Sequence, residues 1–513
     1  MANKAIKLYA KENGGRVSLL FLLFLLALYQ LTTSGLPAFA IICFIPVIVI
    51  AIILSFRNGM LIFWMLFFIN YTIMMKDFPS IGVPLSLPNE MLELALLAIA
   101  IITFEHYPFH RIGNLMFLSI AIWCGFCTLE ILNNTCNLGI NVSAWYQGAR
   151  LLAYQQMYIF LVFTLFLRTP KQIVNYLFIW GAFALFAVVW VWKQKYIGFT
   201  HLEESWLYGQ GRATHIIYGG TLIRYFSIYS DAANFGIGIA STGVAFVIFG
   251  ITARIRWHKL FFLLVGFACI WGMFPSGTRT ALASLMAGFM AYIFLSKSIK
   301  IAVPFSIVFG LFVFMLAFTN IGNGNQQIRR MRSAFDRNDA SANQRTINQV
   351  TMRKYMKEAP WGIGLGMYGE QVPANNKYRL MSTIAADSEY VFIWLRTGII
   401  GITIFLFATA LMLFGACRIV FFTLKNPSLR GIGAGLCCAF ISQQLGAYGN
   451  QVLMQFPNGL IFYGGLSIVY ILPHIEQEWI EHENKLFAKQ AERKRIKLEK
   501  KKQSRVKDIF NWI

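Results

Sequence analysis

Fourteen apolar runs, near 17–32, 38–56, 59–75, 90–104, 114–132, 149–167, 173–192, 231–252, 259–275, 279–296, 300–319, 389–416, 431–448 and 458–473, leave this chain few options. The runs are long and continuous rather than alternating, so they read as helices and not as the strands of a closed barrel. With 57% of 513 residues hydrophobic, no soluble fold could hide the remaining apolar surface. The sequence therefore predicts an all-α, polytopic membrane protein of about fourteen transmembrane helices, several of them short enough to need polar flanks at the interface.

Charge sets the expected topology. Lys4, Lys7, Lys11 and Arg16 precede the first run, and Pro37-Ala38-Phe39-Ala40 resembles a signal cleavage site. A second apolar run follows at once, so the segment reads as an uncut first helix. Arg57, His106–Arg111, Arg168–Lys171, Arg254–Lys259, Lys297–Lys300, Arg418–Arg430 and the basic tail at 485–507 all fall on one side of the alternation. That side is expected to be cytoplasmic and to hold both termini. The connectors 76–89, 133–148, 193–230, 276–278, 320–388 and 449–457 are then periplasmic, two of them long loops, with short helices expected in the longest. Residues 1–473, including loops 193–230 and 320–388, form the predicted bundle, and 474–513 a basic cytoplasmic helical tail suited to anionic headgroups. The formal net charge of +23 reflects these loops and does not call for nucleic acid.

Several chemistries are disfavoured. Of the eight cysteines, Cys124 and Cys127 form a C-x-x-C on an apolar helix without a partner pair, which makes a metal or redox site improbable. There is no P-loop, no dinucleotide fingerprint and no H-E-x-x-H pattern, which argues against an ATP-driven transporter. Chemistry is instead expected in the polar stretch from Asn320 to about Gly401, which is rich in arginine although it faces outward. Outward guanidinium groups suggest a phosphate or pyrophosphate ligand.

Four short stretches carry the candidates. Arg224 precedes Asp231-Ala232-Ala233-Asn234, where Asp231 is placed to cap a helix. In Pro275-Ser276-Gly277-Thr278-Arg279-Thr280, Arg279 opens a helix whose free amides already attract anions. Ser341 is expected to start a helix reaching Ala359, with Arg345, Asn348, Gln349 and Met352 on one face, before Pro360-Trp361-Gly362-Ile363-Gly364-Leu365-Gly366 turns the chain back. Asp387-Ser388-Glu389-Tyr390 lies at the mouth of a helix that carries Arg396, a possible ion-pair partner for Glu389.

In this order the stretches resemble the O-antigen ligase and polymerase superfamily, over roughly Arg224 to Gly401. The resemblance implies a periplasmic-face glycosyltransferase of the bacterial inner membrane. Its donor would be a glycan on undecaprenyl pyrophosphate, with no metal or other cofactor, and its acceptor a glycan, lipid or protein hydroxyl. By position, Arg279 and Arg345 would hold the pyrophosphate with Arg224 in support. Asp387 would orient or deprotonate the acceptor. Ser276, Asn234, Gln349, Ser388, Glu389 and Tyr390 are further substrate-binding candidates. Asp387 stands where many ligases have a histidine, a departure that favours a polymerase over a ligase or an O-oligosaccharyltransferase. His201 and His215 are candidates to replace that imidazole. A flippase of lipid-linked glycans is the rival reading, and it would call for buried charges and broken helices within the membrane. A second rival, a non-catalytic scaffold recruiting a partner through the basic tail, would depend on the residues after Pro473.

Overall fold

The computed structural model describes residue 22 and residues 59–76, 86–217, 222–297, 299–321, 324, 326–332 and 340–510. The first two apolar runs, and the basic residues before them, lie outside the described residues. Each of the other twelve runs is a helix. In chain order these are α1 (Gly59–Thr72), α2 (Leu87–Ile102), α3 (Leu115–Leu129), α4 (Val142–Phe166) and α5 (Pro170–Tyr196). A short helix in the connector after α5, α6 (His201–Tyr208), precedes α7 (Ala232–Thr252), α8 (Arg256–Gly272), α9 (Arg279–Leu295) and α10 (Ile299–Phe318). The arginine-rich insert supplies α11 (Gln326–Arg332) and α12 (Ala340–Met356). The chain closes with α13 (Glu389–Arg418), α14 (Pro427–Gly449) and α15 (Asn458–Phe510).

Seven helices among the described residues are long and apolar enough to cross a membrane, and α1 and α9 are shorter apolar helices. Large side chains on the bundle surface make the same case. Phe267, Trp271, Phe294, Phe407 and Phe414 are exposed, an arrangement that water would penalise and lipid would not. The sole sheet among the described residues is a two-residue antiparallel pairing, β1 (Ile216–Ile217) with β2 (Leu222–Ile223). The protein is thus all-α and polytopic.

The segment Met65–Ile513 is one compact unit. Helix α7 is its most enclosed helix, buried along nearly all its length and packed on α8, α9 and α14. Small residues make that approach possible. A Cβ at Gly238 would fall 2.2 Å from Asn458 Oδ1, and one at Gly435 only 2.5 Å from a Phe249 ring carbon. Helix α15 runs without a break through Pro473, so the predicted boundary between bundle and tail falls inside one helix. The predicted start at Ser341 is also moved: α12 begins at Ala340, which puts Ser341 within the helix rather than at its cap, and it ends at Met356.

Hydrogen bonds sort the connectors into two groups. On one side, the Lys76 ammonium reaches the Ser230 carbonyl at 3.1 Å, Asn133 the Trp361 carbonyl at 2.8 Å and Arg224 the Ser276 carbonyl at 3.3 Å. Arg345 reaches the Gly449 carbonyl at 3.0 Å, and Gln451 the Ala386 carbonyl at 2.6 Å. With the bond from Arg330 to the Gly277 carbonyl at 2.7 Å, these link the six connectors that charge alternation assigns to one face. The other group is joined in the same way. Arg168 donates to the His106 carbonyl, the Asn426 amide to Glu476 at 2.6 Å, and Ser428 to Glu483 at 2.7 Å.

Candidate active site

The first arginine is positioned by the ends of two helices. Asp231 caps α7, accepting from the amides of Ala233 and Asn234 at 2.7 and 2.9 Å. The amide of Ala232 donates instead to His215 Nε2 at 3.0 Å. Thr278, just before α9, donates its hydroxyl to the Ala232 carbonyl at 2.9 Å and accepts from Arg224 Nη2 at 3.0 Å. Arg224 also donates to the Thr214 carbonyl at 2.9 Å. The guanidinium is thereby held by three elements at the point where α7 and α9 begin.

Other arginines surround it. Protein packed around Arg224 pushes its pKa down to about 10, and repulsion from Arg330, Arg279 and Arg345 adds to the effect, with only Asp231 opposing. Arg330, on α11, donates through Nε to the Gly277 carbonyl at 2.7 Å. Gly277 is left-handed at φ 56°, and a Cβ there would lie 3.2 Å from Arg330 Cδ and 3.5 Å from Arg224 Cγ. The serine motif therefore turns tightly enough for two arginines to pass on either side of it.

The second half of the site lies across from this cluster. Arg345, Asn348, Gln349 and Met352 form one wall of a small cleft, and Ala385, Asp387, Ser388 and Val391 the other. Arg345 Nε is 3.5 Å from Asp387 Oδ2, and both side chains are about a third to a half exposed (34% and 45%). An ion pair this open adds little stability, so the two groups stay available to a ligand. Asp387 is exposed, whereas Ser388 and Glu389 are buried. Ser388 donates to the Ala447 carbonyl at 3.3 Å, and Glu389 accepts from the Leu453 amide at 3.1 Å. Tyr390 donates to Gln444 at 2.9 Å.

Arg396 is not the partner of Glu389. It donates to the Met367 carbonyl and lies over the Tyr368 ring at 4.1 Å. Met367 and Tyr368 come from the segment after the glycine turn, which docks where α13 is interrupted at Gly398 by a φ of 67° and ψ of −169°. The carbonyls of Leu395 and Arg396 accept from the amides of Ile363 and Gly364 at 2.9 and 3.0 Å, and the Ile400 amide donates to the Pro360 carbonyl at 3.3 Å. The glycine turn repairs the broken ladder from outside. A Cβ at Gly398 would sit 1.9 Å from the Pro360 oxygen, so glycine is required there.

Three predicted binding residues are occupied with structural bonds. The Ser276 hydroxyl donates to the Met273 carbonyl at 2.7 Å and accepts from the Thr278 amide at 3.2 Å. The buried Asn234 amide donates to Ser230 Oγ at 2.9 Å and to the Phe456 carbonyl at 3.1 Å, while Asn458 donates back to it. His215 is buried, and burial followed by repulsion from Arg224 pushes its pKa down to about 4, against Asp231. Its Nε2 lone pair is occupied by the Ala232 amide and Nδ1 lies 3.1 Å from the Gly211 carbonyl, so this imidazole cannot take a substrate proton. His201 is the exposed first residue of α6.

Two contributors gave no separate signal in the sequence. Arg330 sits among several arginines of one polar loop, and only the fold selects it. The connector 449–457 has no charged residue, yet it supplies the Gly449 carbonyl to Arg345 and the Leu453 amide to Glu389.

The fold and this site together define a class: a multi-pass helical membrane protein with a cluster of arginines, one of them paired with an exposed carboxylate, at a single end of its bundle. Residues 260–406 match the family described as O-antigen ligase, a span that contains Ser276, Arg279, Arg330, Arg345 and Asp387. Over that stretch the chain is similar to the O-antigen ligase family; the match does not extend to the rest of its length. No curated protein matches the sequence.

Proposed function

We propose that the protein is a periplasmic-face glycosyltransferase of the bacterial inner membrane. It moves a glycan from an undecaprenyl-pyrophosphate carrier to an acceptor hydroxyl, and so polymerises surface polysaccharide repeats. The observation that carries this reading is the meeting of Arg224 and Arg330 at Gly277, 3.5 and 3.2 Å from one point, beside the helix that Arg279 opens, with repulsion from Arg279 and Arg345 added. Folding that gathers like charges around a half-buried guanidinium costs free energy, and a polyanion returns it. A pyrophosphate fits, because it offers several oxygens to planar, always-charged donors.

In the reaction, the acceptor oxygen attacks the anomeric carbon as the bond from that carbon to the phosphate oxygen breaks. The electron pair leaves with undecaprenyl pyrophosphate, whose growing charge is met by the arginines. The acceptor proton passes to the Asp387 carboxylate. The contact between Asp387 and Arg345 puts the proton acceptor beside the leaving-group clamp.

A flippase is the second reading, favoured by the break at Gly398 and by Glu93, a carboxylate buried in α2 and bonded to Gln155 at 2.8 Å. Reconstitution with purified lipid-linked donor separates the two. The enzyme releases undecaprenyl pyrophosphate and lengthens the glycan, and Arg345→Ala slows release by roughly 10²–10³-fold, the usual cost of losing one charge-stabilising donor. Lipid translocation without release would overturn the transferase. The same assay with glycan, lipid and protein acceptors in turn distinguishes polymerase from ligase.

A further inference from the structure

Beside the arginine cleft, the same face of the protein carries a larger hollow to which nothing above gives a role. It is an open hollow of about 580 Å³ between the connector after α3 and the loop that follows the glycine turn, and Thr135, Asn137, Leu138, Asn375, Lys377 and Tyr378 are among its walls. Its volume is that of a small-molecule site rather than of a surface dimple.

The lining is built firmly. Asn376 donates to the Cys136 carbonyl at 2.7 Å and accepts from the Tyr378 amide at 2.9 Å, which ties the two walls together. Asn134 accepts from the Gly139 amide at 2.9 Å and closes the opposite turn. Asn137 is held in the left-handed region at φ 52°, where asparagine is among the few side chains tolerated. Beneath both walls runs one apolar core containing Cys136, Tyr378, Met352 and Met356. Met352 also lines the cleft of Arg345 and Asp387, so the core beneath the hollow reaches the helix that walls that cleft. From Arg345 to Met356 that helix extends about 16 Å at the helical rise per residue.

The chemistry of the lining selects a ligand. Lys377 is paired with Glu358, which leaves the hollow without net charge from that pair. Among the described residues, neither the Asn137 nor the Asn375 side-chain amide makes a hydrogen bond, and both are exposed. Each offers one acceptor and two donors, next to the apolar faces of Leu138 and Pro373. Amides that donate and accept, set beside flat apolar surface, suit a neutral polyhydroxyl compound better than an anion or a lipid chain.

We propose that this hollow is a saccharide subsite, holding a neutral stretch of glycan while another part of it reacts beside Asp387. Its part in transfer rests on the glycosyltransferase reading; its binding of saccharide does not. The glycan held there comes either from the acceptor or from the donor repeat.

The test uses the full-length protein in nanodiscs and short oligosaccharides released by mild acid from the source cell's own polyprenyl-linked glycans, with binding read by saturation-transfer NMR. The double variant Asn137→Ala, Asn375→Ala should weaken binding about tenfold, the equivalent of two lost neutral hydrogen bonds, at unchanged thermal stability. Arg345→Ala should bind the saccharide as the parent does. In transfer assays the double variant should raise the acceptor KM alone if the acceptor occupies the hollow, and the donor KM alone if the donor repeat does. A parent protein that binds no saccharide, or a double variant that binds within about twofold of it, overturns the subsite. Saccharide binding lost in the double variant without any transferase activity would leave the subsite standing and remove the transferase.

Discussion

Arg224 and Arg396 lie in the same end of the bundle, and their surroundings are opposites. Arg396 is buried, its charge spread over the Tyr368 and Phe392 rings at 4.1 and 5.3 Å and directed at the Met367 carbonyl. Its Nε is buried without a hydrogen-bond partner among the described residues, and its Nη1 bond joins a broken helix to the turn beside it. Arg224 is half-buried and donates to two carbonyls and the Thr278 hydroxyl, but it feels the repulsion of three more arginines against one carboxylate, which is already engaged as a helix cap. A guanidinium laid over aromatic rings and free of repulsion from other cations is part of the framework. One crowded by its own kind is waiting for an anion.

The largest effect is expected where the framework is tightest. Gly398→Ala would drive a Cβ into the Pro360 carbonyl at 1.9 Å and into the Gly362 amide at 2.4 Å, in a backbone conformation that alanine resists. Both contacts are with backbone, which cannot swing aside, so a loss of roughly 3 kcal/mol or more is expected. Yield of folded protein in detergent, by size-exclusion and thermal unfolding, measures it. A variant as stable as the parent would mean that α13 continues unbroken, and the framework side of the comparison would be lost.

A paired substitution sharpens the contrast. Arg224→Gln should leave a folded protein whose transfer rate is lower by about 10²-fold, and whose stabilisation by added pyrophosphate is abolished. Arg396→Gln should do the reverse. It leaves the Met367 carbonyl and the aromatic rings without their cation, at a cost of about 2 kcal/mol, while pyrophosphate still raises the melting temperature. Thermal shift with and without pyrophosphate reads both variants in one experiment. Equal pyrophosphate shifts in the two would show that crowding does not mark the anion site.

How much of this contrast the sequence could show depends on range. Helices are local, and all twelve apolar runs within the described residues fold as helices because length and continuity settle that choice. Capping by Asp231 and the shared face of Arg345, Asn348, Gln349 and Met352 are local too, and both were legible. Partner choice is not local. Glu389 and Arg396 sit seven positions apart, about two turns, which invites pairing, yet the glycine turn sends Met367 and Tyr368 to Arg396 and leaves Glu389 to the Leu453 amide. Neither event can be read from spacing, because each depends on a segment far away in the chain. Arg330 was hidden for a different reason: within a run of arginines, composition cannot say which one reaches Gly277.

The smallest effect belongs to His215, which sits in contact with the arginine cluster through Arg224 but serves the framework. Its folded pKa of about 4 lies below the ordinary imidazole value of about 6.5, because burial and then Arg224 disfavour the charged ring. Below pH 6.5 the unfolded chain takes up a proton that the folded chain refuses, so stability falls as pH drops from about 6.5 towards about 4. By pH 5 the loss from this residue approaches about 2 kcal/mol. His215→Gln keeps an acceptor for the Ala232 amide but does not titrate, so it should flatten that part of the stability curve and leave the transfer rate at pH 7 within about threefold. Urea unfolding at pH 7 and pH 5 measures the first, and donor turnover the second. Were the glutamine variant to lose transfer a hundredfold with its stability intact, His215 would move from the framework to the reacting groups, and the division between the two arginine environments would have to be redrawn around it.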